Sequence, residues 1–82
     1  MYFVYLVECS DLTYYCGYTN NLNNRIYEHN EGNNGAKYTK NRRPVRLIYH
    51  ETFQSKSEAM KREYEIKKLS KTDKIKLVAS LL

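Results

Sequence analysis

Tryptophan is absent from this 82-residue chain, and proline, cysteine and glycine are scarce, at one, two and three residues. Two cysteines, Cys9 and Cys16, cannot build the disulfide framework that a small secreted domain needs, and the N-terminal MYFVYLVECS lacks the basic start of a signal peptide. A cytoplasmic, reducing location is expected. The longest apolar run, Tyr2 to Val7, falls far short of the roughly 20 residues of a membrane span, so no membrane partner is expected. Cys9, Cys16, His29 and His50 show no CxxC or HxxxH spacing, which argues against a structural zinc site. Basic residues are missing from the first part of the chain, where none precedes Arg25.

What is present points to one ordinary globular domain over residues 1–82. A composition 41% hydrophobic and 28% charged is too apolar for disorder, and the length leaves no room for a second domain. No repeat, low-complexity tract or linker interrupts it. Nine tyrosines carry most of the aromatic content. Fourteen Lys and Arg against nine Asp and Glu give +5, all of the basic charge lying from Arg25 onward, and nucleic-acid phosphate is the partner this favours.

Tyr2 to Cys9 and Tyr14 to Thr19 are rich in Val, Tyr and Phe and flank a short polar link, which predicts a β-hairpin. From Asn20 to Glu31 the period changes: Leu22 and Ile26 are four apart, Thr19, Asn20 or Asn21 can cap the start, and Gly32 can end a short helix. The stretch EGNNGAKYTKNRRP reads as an exposed loop with no secondary structure, and from Lys37 on to Arg46, just past its end, there are five basic residues with no acid among them. Val45 to Phe53 is a third strand, with Val45, Leu47 and Tyr49 alternating against Arg46, Ile48 and His50. Ser55-Lys56-Ser57-Glu58 is a capping box opening a helix to about Leu69. Ser70-Lys71-Thr72-Asp73 repeats the signal for a last helix, which would pack Ile75, Val78, Leu81 and Leu82 on the sheet and leave Lys74 and Lys76 in solvent. The order is ββαβαα.

Three groups of residues could carry chemistry. Arg25 and His29 stand four apart and share a face bordering the Leu22–Ile26 stripe; they could equally snorkel over the core edge and satisfy a helix terminus. Glu63 lies between Ala59 and Ile66 on the stripe that should face the sheet, so a cation must meet it: an ion pair with Arg25 or another base, or a metal. Tyr5 and Tyr15 lie on the two hairpin strands, where tyrosine is also simply a good sheet residue, and Gly17 would let a ligand or backbone come close.

Taken together, Phe3-Val4-Tyr5, Tyr15-Cys16-Gly17, Arg25, His29 and Glu63 resemble the GIY-YIG nuclease domain in order and spacing. The resemblance covers nearly the whole chain and is nearest to the small standalone branch of that superfamily, with counterparts of VYLVEC, YCGYT, GAKYTK and EYEIKKL. It implies an α+β domain with a central three-stranded antiparallel sheet on which Tyr5 and Tyr15 sit side by side and help activate or orient a water. Arg25 would neutralise the scissile phosphate, and His29 would assist proton transfer or contact phosphate. Glu63 would hold a single, weakly bound Mg2+ or Mn2+. Such a division suits phosphodiester hydrolysis, and one carboxylate suffices for an ion that keeps most of its waters. Phe3 and Val4 replace the glycine and isoleucine of the first triad, and Cys16 replaces the middle isoleucine of the second.

The expected function is metal-dependent endonuclease-like cleavage of nucleic acid, DNA in the first place, with structure-selective cleavage as one form of it. Gly17, Tyr18, Lys37, Lys40, Arg42 and Arg43 would bind the nucleic acid, and a protein partner could supply specificity. The rivals are a nucleic-acid binding module of the same fold without turnover, and a domain whose basic loop meets an acidic protein. One geometric condition follows. Tyr5 and Tyr15 share a sheet face only if paired positions in the hairpin sum to an even number, as with a three-residue loop Asp11 to Thr13; Cys9 then joins them, Cys16 points away, and no Cys9–Cys16 disulfide forms.

Overall fold

A computed structural model of the chain describes residues 1–32 and 34–80. Strands β1 (Tyr2–Glu8), β2 (Tyr14–Thr19) and β3 (Arg46–Phe53) form an antiparallel sheet in the order β2-β1-β3. Helices α1 (Leu22–Glu31), α2 (Lys37–Lys40), α3 (Lys56–Lys67) and α4 (Lys71–Ala79) complete the α+β fold, and the long elements follow ββαβαα. Because β1 is central, it is covered on both faces. Val4, Leu6 and Cys16 pack with Tyr49, Ala59 and Ile66 under α3, while Tyr5, Val7 and Cys9 pack with Val45, Leu22 and Ile26 under α1. This explains the unbroken apolar run Val4–Val7: a strand buried on both sides needs no polar alternation.

The hairpin pairs Tyr5 with Gly17 and Val7 with Tyr15, positions that sum to 22. Parity is therefore even, and Tyr5, Tyr15 and Cys9 share the α1 face while Cys16 lies on the other; both cysteines are free. The register differs by two from the one a three-residue loop gives. Glu8 faces Tyr14, and residues 9–13 form a longer turn closed by Cys9 N–H donating to Thr13 O, with Leu12 at φ 69°. Asp11 accepts from the Thr13 amide and hydroxyl inside this turn.

The third strand departs from simple alternation. Leu6 faces Tyr49 but Val7 faces Leu47, so Ile48 is the extra residue of a bulge. Val45 and Tyr49, expected on one side, are consequently buried on opposite faces. The segment read as an unstructured loop contains the single helical turn α2, with Thr39 fully buried.

Helix starts fall where capping chemistry puts them. Asn21, Ser55 and Ser70 each accept from the backbone N–H three residues on. At Ser55 the reciprocal bond of the box runs from its hydroxyl to the Glu58 carboxylate rather than from its backbone N–H. In α4 the inward residues are Leu77 and Val78; Ile75 is 47% exposed, contrary to its expected burial, and Lys74 is half-buried. Leu81 and Leu82, expected on the same apolar face, lie outside the described residues.

Candidate active site

Tyr5 and Gly17 face one another across the β1–β2 ladder. A Cβ at position 17 would stand 2.5 Å from Tyr5 Oη and 2.7 Å from its Cζ, so glycine is required because the phenol lies across β2. The close approach anticipated at Gly17 is made by Tyr5 itself.

The hydroxyl so placed meets His29 Nε2 at 2.7 Å, and Arg25 Nε at 3.4 Å. His29 is fully buried, and its Nδ1 lies 2.8 Å from Thr39 Oγ1. Thr39 gives its single hydroxyl proton to Ala36 O at 3.0 Å, so its oxygen receives Nδ1–H, and His29 Nε2 is left bare to accept from Tyr5. Burial and a neighbouring charge explain why this histidine is neutral. Burial, then the guanidinium of Arg25, push its pKa down to about 4. Burial also pushes Tyr5 up to about 12, against the lowering influence of Arg25, so at rest the proton stays on the phenol.

Thr39, buried on α2, is what orients His29. Nothing in the spacing of Thr39, ten residues from His29, announced this. Full burial also leaves His29 no surface for phosphate, so of the two roles implied for it only proton transfer is geometrically open.

Arg25 donates through Nη1 to Asn34 O at 2.8 Å and to Glu28 at 3.5 Å, and among the described residues its Nη2 has no partner. Tyr15 packs edge-on to the His29 ring at 5.3 Å and stacks on Tyr38 at 5.8 Å. Glu63 comes from the other side of the sheet. It rises from α3, between the buried Ala59 and Ile66, to the free edge of β2, where its side chain is 18% exposed. Its cation is Lys67, one turn along, at 3.7 Å, not Arg25.

Tyr5, Tyr15, Gly17, Tyr18, Thr19, Arg25 and Glu63 together line one cleft of about 360 Å³ across the edge of β2. The fold thus brings four of the five residues singled out for catalysis into one wall-to-wall space, with His29 directly behind Tyr5. The residues singled out for nucleic-acid contact divide. Gly17 and Tyr18 line the cleft, and Lys37 and Lys40 are exposed on α2. Arg42 and Arg43 are structurally engaged. Arg42 bonds Asp11 and Tyr38 O and lies over the Tyr38 ring, and Arg43 donates to the carbonyls of Glu28, His29 and Gly32 at the end of α1.

Among the described residues no three carboxylate, histidine or cysteine side chains gather into a metal cage. Burial pushes the Cys16 thiol, behind Glu63, up to about 12, so it offers no thiolate. A single carboxylate opening on a polar cleft still fits a magnesium-type ion, which takes one or two carboxylates and fills its octahedron with waters and phosphate oxygens.

Residues 1–76 match the family model described as the GIY-YIG catalytic domain. A UPF0213 protein of Staphylococcus haemolyticus is 57% identical over 77 residues, covering 94% of this chain and 93% of that protein. A UPF0213 protein of Halobacterium salinarum is 58% identical over 74 residues, covering 90% and 95%. The solution structure of a UPF0213 protein from Bacillus halodurans superposes with a TM-score of 0.61 at 46% identity, covering 96% of this chain and 84% of that one. Among the described residues no helix is long and apolar enough to cross a membrane.

Proposed function

This chain belongs to the GIY-YIG catalytic domain family, and from that membership and the cleft we propose that it cleaves nucleic-acid phosphodiester bonds as a metal-dependent endonuclease, acting on DNA in the cytoplasm. The observation that carries the reading is the relay Arg25–Tyr5–His29–Thr39 on one wall of a cleft whose other wall offers Glu63.

Phosphate entering the cleft meets the free Nη2 of Arg25, which offsets charge growing on the phosphorus oxygens. The same negative charge raises the proton affinity of the His29 ring above its resting level. Tyr5 then passes its proton to His29 Nε2 as it takes one from the attacking water, and Thr39 keeps the ring aligned for that transfer. Glu63 would hold the divalent ion, Mg2+ or Mn2+, which would supply Lewis-acid stabilisation of the charge that develops on phosphate. Lys37, Lys40 and the ring of Tyr18 border the route of the strand, and a protein partner would supply specificity.

Glu63→Ala tests this on supercoiled plasmid, branched DNA and single strands, with magnesium, manganese or chelator. Cleavage should need metal and vanish in the variant. Because Lys67 is 49% exposed, removing Glu63 strands no buried cation, and stability should move by no more than about 0.5 kcal/mol. A large loss of melting temperature in Glu63→Ala, with no magnesium effect on the wild type, would refute the metal site. Salt-sensitive binding without turnover would leave a binding module.

A further inference from the structure

The cleft has a cation that the family triads do not name. Lys67 Nζ lies 3.7 Å from Glu63 Oε2 and 6.0 Å from the ring centroid of Tyr15, so both of its partners are cleft walls. Neither partner holds it firmly: the ion pair is long, spans i to i+4 on one helix, and leaves the side chain 49% exposed. On the α1 side the arginines are tied down. Arg25 has two of its three nitrogens occupied, Arg42 is held by Asp11 and Tyr38, and Arg43 by three carbonyls. A phosphate in this cleft, whose charge is shared by two oxygens, finds on the α1 side one Arg25 nitrogen without a partner among the described residues, and on the α3 side Lys67 paired directly with the Glu63 wall.

Resting on the nuclease reading above, we propose that Lys67 and the divalent ion compete for the Glu63 carboxylate, and that the displaced ammonium turns onto the phosphate, opposite Arg25. Glu63 cannot serve an ammonium and a dication at close range without the two cations repelling each other. Lysine suits the exchange because its ammonium is a compact charge on a flexible stem, free to move a few ångströms about its own Cα. The swing leaves the site's net charge unchanged by the lysine while placing a donor on the side of the phosphate that Arg25 does not reach. Lys67 would thus contact substrate, and its pairing with Glu63 would weaken metal binding until nucleic acid arrives.

The test uses wild type, Lys67→Gln, Lys67→Arg, Glu63→Gln and, as a charge control, Lys68→Gln, whose lysine lies over the exposed Tyr64 ring at 4.1 Å. Mn2+ affinity is read by electron paramagnetic resonance without nucleic acid. Affinity for a cleavage-resistant phosphorothioate oligonucleotide is read in Mn2+ across a salt series. Lys67→Gln should bind Mn2+ about two- to tenfold more tightly and lower the salt slope by about 1, whereas Lys68→Gln should leave the Mn2+ affinity as in wild type. Lys67→Arg should restore the slope. Unchanged or weaker Mn2+ binding in Lys67→Gln, or an equal gain in Lys68→Gln, overturns the proposal while leaving the nuclease reading intact. Mn2+ binding that survives Glu63→Gln, or is absent from every variant, overturns the metal site itself and the proposal with it.

Discussion

Tyr5 is constrained from three sides at once. Gly17 gives its ring space, His29 takes its proton, and Arg25 points at its oxygen. Gly17→Ala would drive a methyl into a buried ring that is already hydrogen-bonded, and overpacking of this kind costs about 1–3 kcal/mol. We expect it to lower the denaturation midpoint and abolish cleavage, although position 17 makes no hydrogen bond to the relay. Tyr5→Phe keeps the ring but leaves His29 Nε2 buried without a donor, at a cost of about 1–3 kcal/mol, and should slow cleavage by about 10²-fold or more. Equal turnover by Tyr5→Phe in single-turnover assays would remove the phenol from the reaction.

At the scale of elements, α2 and its connection to β3 do two jobs that the linear sequence merges into one basic stretch. Arg43 satisfies carbonyls at the end of α1, and Arg42 fastens α2 to the hairpin turn, where Ser10 N–H also donates to Arg42 O. Lys37 and Lys40 remain exposed. Arg43→Ala should therefore act on stability, by about 1–3 kcal/mol in chemical denaturation, because charge-assisted bonds to carbonyls are lost. Replacing Lys37 and Lys40 together by glutamine should leave stability alone and lower the salt slope of DNA binding by about 2, weakening all sequences alike. Arg43→Ala should leave that slope unchanged.

For the molecule as a whole, His29 links the cleft to acid stability. Its folded pKa of about 4 lies below its ordinary value of 6.5, so the unfolded chain binds the extra proton first. The stability His29 confers as a neutral group is complete above pH 6.5 and drains away as pH falls towards 4. The loss amounts to at most about 3 kcal/mol. The melting temperature should decline across that window in the wild type and decline less in His29→Gln; parallel profiles would show that another group governs the acid limb.

Sequence alone determined the long elements and their order, though not the short α2. Capping serines marked two helix starts and the Thr19–Asn21 run a third, because a side-chain acceptor for orphan N–H groups is a local matter, and the period of two along a strand set the parity condition that the observed hairpin register meets. The triads with Arg25, His29 and Glu63 named the candidate site through resemblance, and the structure puts Tyr5, Tyr15, Gly17, Arg25 and Glu63 around one cleft with His29 behind Tyr5. Tertiary structure decided everything that depends on which groups compete for a partner. Arg42 and Arg43 look like free charges in the chain, yet carbonyls and Asp11 claim them; the bulge at Ile48 moves Val45 and Tyr49 to opposite faces. Thr39 becomes the group that sets the His29 tautomer, and Lys67, not Arg25, becomes the counterion of Glu63. Caps and periodicities are set by neighbours along the chain, whereas hydrogen-bond partners and ion pairs are chosen among groups that only folding brings within a few ångströms.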